Sequence, residues 1–254
     1  MLELEDALAG ILAAMPAPVA ETVPLSEADG RVLAEASLSP GALPPFDNSS
    51  MDGYAVRAAD VASATAEAPA HLRLSGRVPA GQTFSGELQP GACIRIFTGS
   101  PLPKGADAVV MQEDTRVESG RPEEVLVLAP VTPRENVRFR GEDLKPGEVL
   151  AEAGTVLSPG LVSLLAATGL AKVRVGCAPV VGLLATGSEL RECGQGLAPG
   201  QIYESNRVGL AALVRRAGGR AKLFPLVPDT LADTRRALED AFRQCDMVVT
   251  SGGV

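Results

Sequence analysis

Val180-Val181-Gly182-Leu183-Leu184-Ala185 is an unbroken apolar run, and Thr186-Gly187-Ser188-Glu189 follows it at once. A strand with one wet face alternates apolar and polar residues, whereas a strand covered on both faces does not. The run therefore reads as a buried parallel strand. Toward the C-terminus, Asn206 to Ala217 sets Leu210, Leu213 and Val214 at helical spacing and stops at Gly218-Gly219. Leu223 to Val227 reads as a second strand, interrupted by Pro225, and Leu231 to Gln244 as a helix carrying Leu238, Ala241 and Phe242. Met247-Val248-Val249 supplies a third strand before Ser251-Gly252-Gly253-Val254. A βαβαβ order of this kind dictates a parallel sheet with right-handed crossovers.

Open parallel sheets bind ligands beyond the carboxyl ends of their strands. The segments leaving those ends are Thr186-Gly187-Ser188-Glu189, Pro228-Asp229-Thr230 and Ser251-Gly252-Gly253. Gly252 and Gly253 let backbone N–H groups approach a phosphate, and Thr186 and Ser188 add hydroxyl donors. Glu189 and Asp229 are carboxylates suited to a hydrated Mg²⁺ that bridges phosphate oxygens. Each segment also has a plain structural reading: Asp229-Thr230 as a helix cap, Gly252-Gly253 as a tight turn. Polar loops gathered on one sheet edge point to a phosphate or nucleotide site.

Upstream, Ser158-Pro159 opens a helix with Leu161, Leu164 and Leu165 inward and Gly169 as its stop. Leu144 to Leu157 and Val173 to Val175 are β-like. From Tyr54 to about Val131, short apolar runs punctuated by Gly and Pro predict a small antiparallel β domain. His71-Leu72-Arg73-Leu74, Cys93-Ile94-Arg95-Ile96, Val109-Val110-Met111 and Val125-Leu126-Val127-Leu128 are its strands. Glu3 to Met15 reads as an amphipathic helix with Leu4, Leu8, Ile11, Leu12 and Met15 on one face, ended by Pro16.

Pro44-Pro45-Phe46-Asp47-Asn48-Ser49-Ser50-Met51-Asp52-Gly53-Tyr54-Ala55-Val56-Arg57 precedes that β region. Its prolines forbid a helix, and Asn48, Ser49 and Ser50 can bond their own backbone. Such chemistry holds Asp52 on a stiff loop, and it equally fits an ordinary turn with an apolar plug. Thr98-Gly99 closes a strand in Phe97-Thr98-Gly99-Ser100-Pro101, either to present donors to a ligand or simply to end the strand. In Arg134-Glu135-Asn136-Val137-Arg138-Phe139-Arg140-Gly141-Glu142-Asp143, extended backbone would align Arg138 with Arg140 as a two-fork anion site oriented by Asp143. The alternative is a solvated charge cluster.

The formal net charge is −8, from 23 Lys and Arg against 31 Asp and Glu, with 3% aromatic residues and no Trp. No basic stripe interleaved with aromatics occurs, which argues against a nucleic-acid partner. No run of about eighteen uncharged apolar residues occurs, so no helical segment is expected to cross a membrane. Glu3, Glu5 and Asp6 at the start do not read as a signal peptide. Cys93, Cys177, Cys193 and Cys245 form no CxxC pair and His71 is the sole histidine. A zinc site is not expected on that basis, and reduced cytoplasmic thiols are. With only Lys104, Lys145, Lys172 and Lys222, a phosphate clamp would rely on Arg and backbone N–H groups.

Taken in order, Phe46 to Arg57, Ile96 to Pro101, Ala108 to Glu113, Asn136 to Asp143, Ala185 to Leu190, Gly200 to Arg207 and Thr250 to Val254 resemble the motifs of one family. It is the molybdenum-insertion family that includes MoeA and the gephyrin E-domain. The resemblance implies insertion of molybdate into adenylylated molybdopterin, with Mg²⁺-dependent release of AMP. It implies a mixed α/β and β fold in an elongated homodimer with discontinuous domains, one of them a MogA-like α/β domain. The implied division is an N-terminal helix (1–20) packing on the α/β domain, a linking α+β domain (21–45 with 144–177), a β-rich domain (46–143) and the α/β domain (178–254). Carried over by motif, Asp52, Thr98, Gly99, Arg138 and Asp143 belong to the β side of a site. Thr186, Gly187, Ser188, Glu189, Asp229, Ser251, Gly252 and Gly253 belong to the α/β side, with Glu189 and Asp229 as the Mg²⁺ ligands. The family pattern runs on past the glycine turn at which this sequence stops, so an incomplete α/β domain, poorly stable and inactive alone, is expected. A molybdopterin adenylyltransferase is the implied partner. A gephyrin-like scaffold for receptor peptides and an adenylyltransferase activity are the competing readings.

Overall fold

The computed structural model describes residues 3–16 and 18–252, so Gly253 and Val254 lie outside the described residues. The chain divides into two compact units, one of Met1–Ser37, Ala151–Ser163 and Ala171–Val254, the other of Leu38–Leu150 and Leu164–Leu170.

In the first unit the strand Val180–Ala185 is the centre of a three-stranded sheet between Arg220–Leu223 and Met247–Ser251. Both neighbours run parallel to it, from Val180↔Arg220 to Leu183↔Leu223 and from Val181↔Met247 to Ala185↔Ser251. Its apolar continuity has a direct cause, because helices cover both faces. Leu184 packs with Phe224, Val227 and Ala241 on one side, and Val181 and Leu183 with Ala211 on the other. The helices are Asn206–Arg216 and Leu231–Gln244. Gly182 is needed where the sheet meets its neighbours, since a Cβ there would lie 2.9 Å from Cys245 Sγ and 3.1 Å from the Phe224 ring.

Two strand boundaries differ from the sequence expectation. The second strand is Arg220–Leu223 rather than Leu223 to Val227. Pro225 has no N–H for the ladder, so pairing lapses after Leu223 and resumes only as a bridge between Thr186 and Val227. The third strand runs on to Ser251, so this residue sits inside the sheet rather than in the turn beyond it.

The same unit contains the antiparallel pair Ala20–Pro24 and Lys172–Gly176. The helix Leu4–Ala14 buries none of its residues: Leu4, Leu8, Ile11 and Leu12 are exposed. The helix Pro159–Ala167 starts as its sequence demands, with Ser158 Oγ accepting the Leu161 N–H at 3.3 Å.

The second unit is built on a six-stranded sheet in the order Ala108–Met111, Gly53–Val56, Ala92–Ile96, Ala70–Val78, Glu124–Val127, Thr115–Arg116. Four of its pairings are antiparallel, and that of Ala70–Val78 with Ala92–Ile96 is parallel. The sheet is thus mixed. The connection between these two strands carries the chain back to its starting end, as a parallel partner requires. Both faces are covered, one by Tyr54, Val56, Leu72, Cys93, Val110 and Val125, the other by Ala55, Val78, Ile94, Ile96 and Val109. That double burial explains the apolar runs of Gly53–Val56, Ala108–Met111 and Glu124–Val127, whereas Ala70–Val78 alternates exposed and inward positions.

Candidate functional site

At the carboxyl edge of the parallel sheet the polar loops meet. Thr186 N–H donates to the Ser251 carbonyl at 3.0 Å, and Gly187 N–H to the Val227 carbonyl at 3.1 Å. Ser188 N–H donates to Asp229 Oδ2 at 3.3 Å, and Asp229 N–H returns a bond to Ser188 Oγ at 3.4 Å. Thr230 is the true helix cap, its Oγ1 accepting the Asp233 N–H at 3.1 Å. Asp229 is therefore not consumed by capping and keeps an exposed carboxylate. Glu189 is exposed as well, its carboxylate folded over Gly187, where a Cβ would stand 2.8 Å from Oε2. Gly252 has φ of +105°, and a Cβ on it would lie 2.4 Å from the Thr186 carbonyl oxygen. Only glycine allows that approach.

Two residues of this edge were not singled out by sequence reasoning. Asn206, the first residue of its helix, donates through Nδ2 to Ser251 Oγ at 2.7 Å. Arg207 beside it is 3% exposed and holds the surroundings together. Its Nε bonds Glu204 Oε2 at 2.8 Å, Nη2 bonds both Glu192 oxygens at 2.9 Å, and Nη1 bonds the Phe224 carbonyl. Burial opposes the Arg207 charge, but Glu192 and Glu204 outweigh it and hold its pKa above the ordinary arginine value. A buried Arg in a sequence otherwise rich in exposed charge was not detectable from spacing.

Among the described residues no three His, Cys, Asp or Glu side chains gather into a metal cage. The donor set of this edge nevertheless fits Mg²⁺, which keeps much of its water shell and takes one or two carboxylates plus phosphate oxygens. Its exposed acids, Glu189 and Asp229, would otherwise repel an anionic ligand.

The second unit carries the other predicted residues. Asp52 Oδ1 accepts both the Thr98 N–H at 2.9 Å and the Thr98 hydroxyl at 2.8 Å. The backbone bond first, and then the hydroxyl, hold the Asp52 carboxyl below its usual 3.8. The Thr98-Gly99 loop thus does more than end a strand, and Gly99 N–H also donates to the Ser49 carbonyl at 2.8 Å. The two dense loops of this unit are joined. Asn48-Ser49 pairs with Val137-Arg138, and Arg140 N–H donates to Asp47 Oδ1 at 2.8 Å.

Arg138 Nη2 lies 2.7 and 2.6 Å from the two Asp143 oxygens, and its Nε lies 3.7 Å from Glu142. Asp143 holds the guanidinium firmly charged, raising its pKa. The two-fork arrangement does not form as expected. Extended backbone covers only Val137-Arg138, and Arg140 sits in a turn with Gly141 at φ of +73°. Turn geometry, set by Gly141 and the left-handed Asn136, overrides the alternation that would align the two arginines. His71 is satisfied on the surface by Glu124, 2.8 Å from its Nδ1, and the four cysteines are free thiols.

Comparison with known proteins places these features in context. Residues 2–169 match the family model described as MoeA N-terminal region (domain I and II), and residues 182–254 match one described as a probable molybdopterin binding domain. Molybdopterin molybdenumtransferase 2 of Mycobacterium tuberculosis is 41% identical over 92% of this chain and 57% of its own length. Molybdopterin molybdenumtransferase of Haemophilus influenzae is 39% identical over 100% of this chain and 61% of its own length. A solved structure of the molybdopterin biosynthesis protein MoeA from Pyrococcus horikoshii matches 93% of this chain with a TM-score of 0.83 at 41% identity, over 62% of that chain. The chain thus spans between half and two thirds of the length of the relatives it matches.

Proposed function

This chain belongs to the MoeA family, and from that premise we propose that it serves molybdenum cofactor biosynthesis by inserting molybdate into adenylylated molybdopterin with release of AMP. The observation that carries this reading is the convergence at the parallel-sheet edge, where Ser188 bonds Asp229 and Thr186 and Asn206 both bond Ser251. Backbone N–H groups and hydroxyls there suit the phosphates of an adenylylated ligand. Asp229 and Glu189 would hold Mg²⁺, which when bound supplies charge neutralisation at those phosphates. Ser251 and Gly252 would line the pyrophosphate, with Asn206 fixing the Ser251 hydroxyl. Gly253 belongs to the same reading by sequence alone.

On the other unit, Asp52 would use its Oδ2 toward a pterin N–H or a water while Oδ1 holds Thr98 in place. Arg138, oriented by Asp143, would steer the anion. A homodimer, a cytoplasmic location and supply of the substrate by a molybdopterin adenylyltransferase complete the proposal; the free thiols support the location.

Equilibrium dialysis with AMP, Mg²⁺ and molybdate, run for the parent chain and Asp229→Ala, tests it. The expected result is Mg²⁺-dependent AMP binding that the substitution abolishes. AMP binding that ignores both Mg²⁺ and the substitution would remove the sheet edge from the reading.

A further inference from the structure

The end of the mixed sheet beside Thr98 carries a stack to which no role has been given above. Arg77 and Arg95 are register partners on adjacent strands. Their guanidiniums lie 4.8 and 5.1 Å from the centroid of the Phe97 ring, and Arg95 also lies 5.0 Å from the Tyr54 ring. A guanidinium laid against an aromatic face gives up its own flat face and keeps its N–H edge for other partners. Arg95 directs part of that edge to neutral acceptors, Gln112 Oε1 at 2.5 Å and the Gly53 carbonyl at 3.4 Å. Among the described residues neither Arg77 nor Arg95 pairs with a carboxylate within 4.0 Å, whereas Arg138 pairs with both Asp143 and Glu142.

We propose that Arg77 and Arg95 form an oxyanion site that takes a phosphate monoester or a tetrahedral oxoanion at the edge of the Thr98 loop. Two neighbouring guanidiniums offer several directed donors to one dianion. The rings restrict both side chains in advance, so little rotamer freedom remains to be lost on binding. Opposing charges stand nearby. Asp52 feels the Arg95 charge, and Glu113 accepts from Gln112 at 3.4 Å. The field here is therefore mixed, and recognition rests on directed bonds rather than on a broad positive potential. Arg77 is exposed and Arg95 half-buried, which makes Arg77 the entering contact and Arg95 the fixed one. The inference rests on the functional reading above only for the source of the oxyanion, a phosphorylated pterin or molybdate.

Calorimetric titration of the 254-residue chain with inorganic phosphate and, separately, with molybdate tests the site in the parent, Arg77→Gln and Arg77→Lys. The exposed position of Arg77 makes these variants compatible with folding, and circular dichroism checks that. Loss of a charge-assisted bond should weaken binding about tenfold in Arg77→Gln, with partial retention in Arg77→Lys. Binding of phosphate, of molybdate or of both, weakened in Arg77→Gln, supports the site, and the preferred probe tells a phosphate group from a molybdenum oxoanion. No binding of either probe by the parent, or equal binding by parent and Arg77→Gln, overturns it. The AMP measurement reports on the parallel-sheet edge, so a failure there leaves this result standing.

Discussion

The two candidate surfaces are held in shape by different balances of bonds. At the parallel-sheet edge, backbone pairs between strand ends do most of the positioning, Asp229 adds one bond from the Ser188 N–H, and a buried guanidinium, Arg207, ties the flanking loops to the sheet. In the second unit, carboxylates hold the loops by accepting backbone N–H groups. Asp47 takes Arg140, Asp52 takes Thr98, Asp107 takes Ala58 and Glu142 takes Phe139. The first arrangement follows largely from topology. The second lets irregular backbone be precise without extending the sheet, and it ties that precision to ionised acids.

Removing Arg207 should break this contrast most severely. Arg207→Ala leaves Glu204, whose side chain is 2% exposed, as a buried charge without its partner. Such a loss costs about 3–5 kcal/mol. Native-state hydrogen exchange should show faster exchange across Val180–Ala185 and Asn206–Arg216 and unchanged protection in Gly53–Val56. Equal loosening of both units would mean that Arg207 is not a local tie.

The mirror experiment is Gly53→Ala. A Cβ there would lie 1.9 Å from the Val110 carbonyl oxygen on the paired strand, so the ladder must part. Overpacking of this kind costs about 1–3 kcal/mol. Exchange should accelerate in Gly53–Val56 and Ala108–Met111 while the parallel sheet keeps its protection. A variant with the parent's unfolding midpoint would contradict the close contact.

Acid titration sharpens the comparison with the smallest effect. Asp52 is depressed below 3.8 because its ionised form accepts the Thr98 bonds. Its contribution is complete above that unfolded-state value and disappears as pH falls through the lower folded one. The Thr98 amide resonance should therefore shift with a midpoint below 3.8, and Asp52→Asn should flatten the titration. A midpoint at or above the ordinary value would show that the bonds do not favour the carboxylate.

Much of this architecture was legible in the chain. The helices Leu231–Gln244 and Pro159–Ala167 and the strand Val180–Ala185 announce themselves through caps, breakers and unbroken apolar runs. Strand limits around Pro225 were not, because resumption of pairing at Val227 depends on what Thr186 does across the sheet. The alignment of Arg138 with Arg140 failed for a similar reason: a local turn cancelled an alternation that needs extended backbone on both sides. Arg95 read only as a polar position in a strand and Arg77 lay beyond the strand read at His71 to Leu74, and their meeting on Phe97 required the parallel pairing that sequence reasoning had not supplied.

The sequence by itself determined the elements, the parallel order of the C-terminal sheet, and the residue types that collect at its carboxyl edge. These follow from interactions within a few residues and from the fixed handedness of the crossover. Tertiary structure alone decided which carboxylate meets which N–H, that Asn206 reaches Ser251, and that Arg207 is buried between two glutamates. Those contacts join positions brought together only by strand register and packing, and a hydrogen bond a few tenths of an ångström long or short is decided by the fold around it.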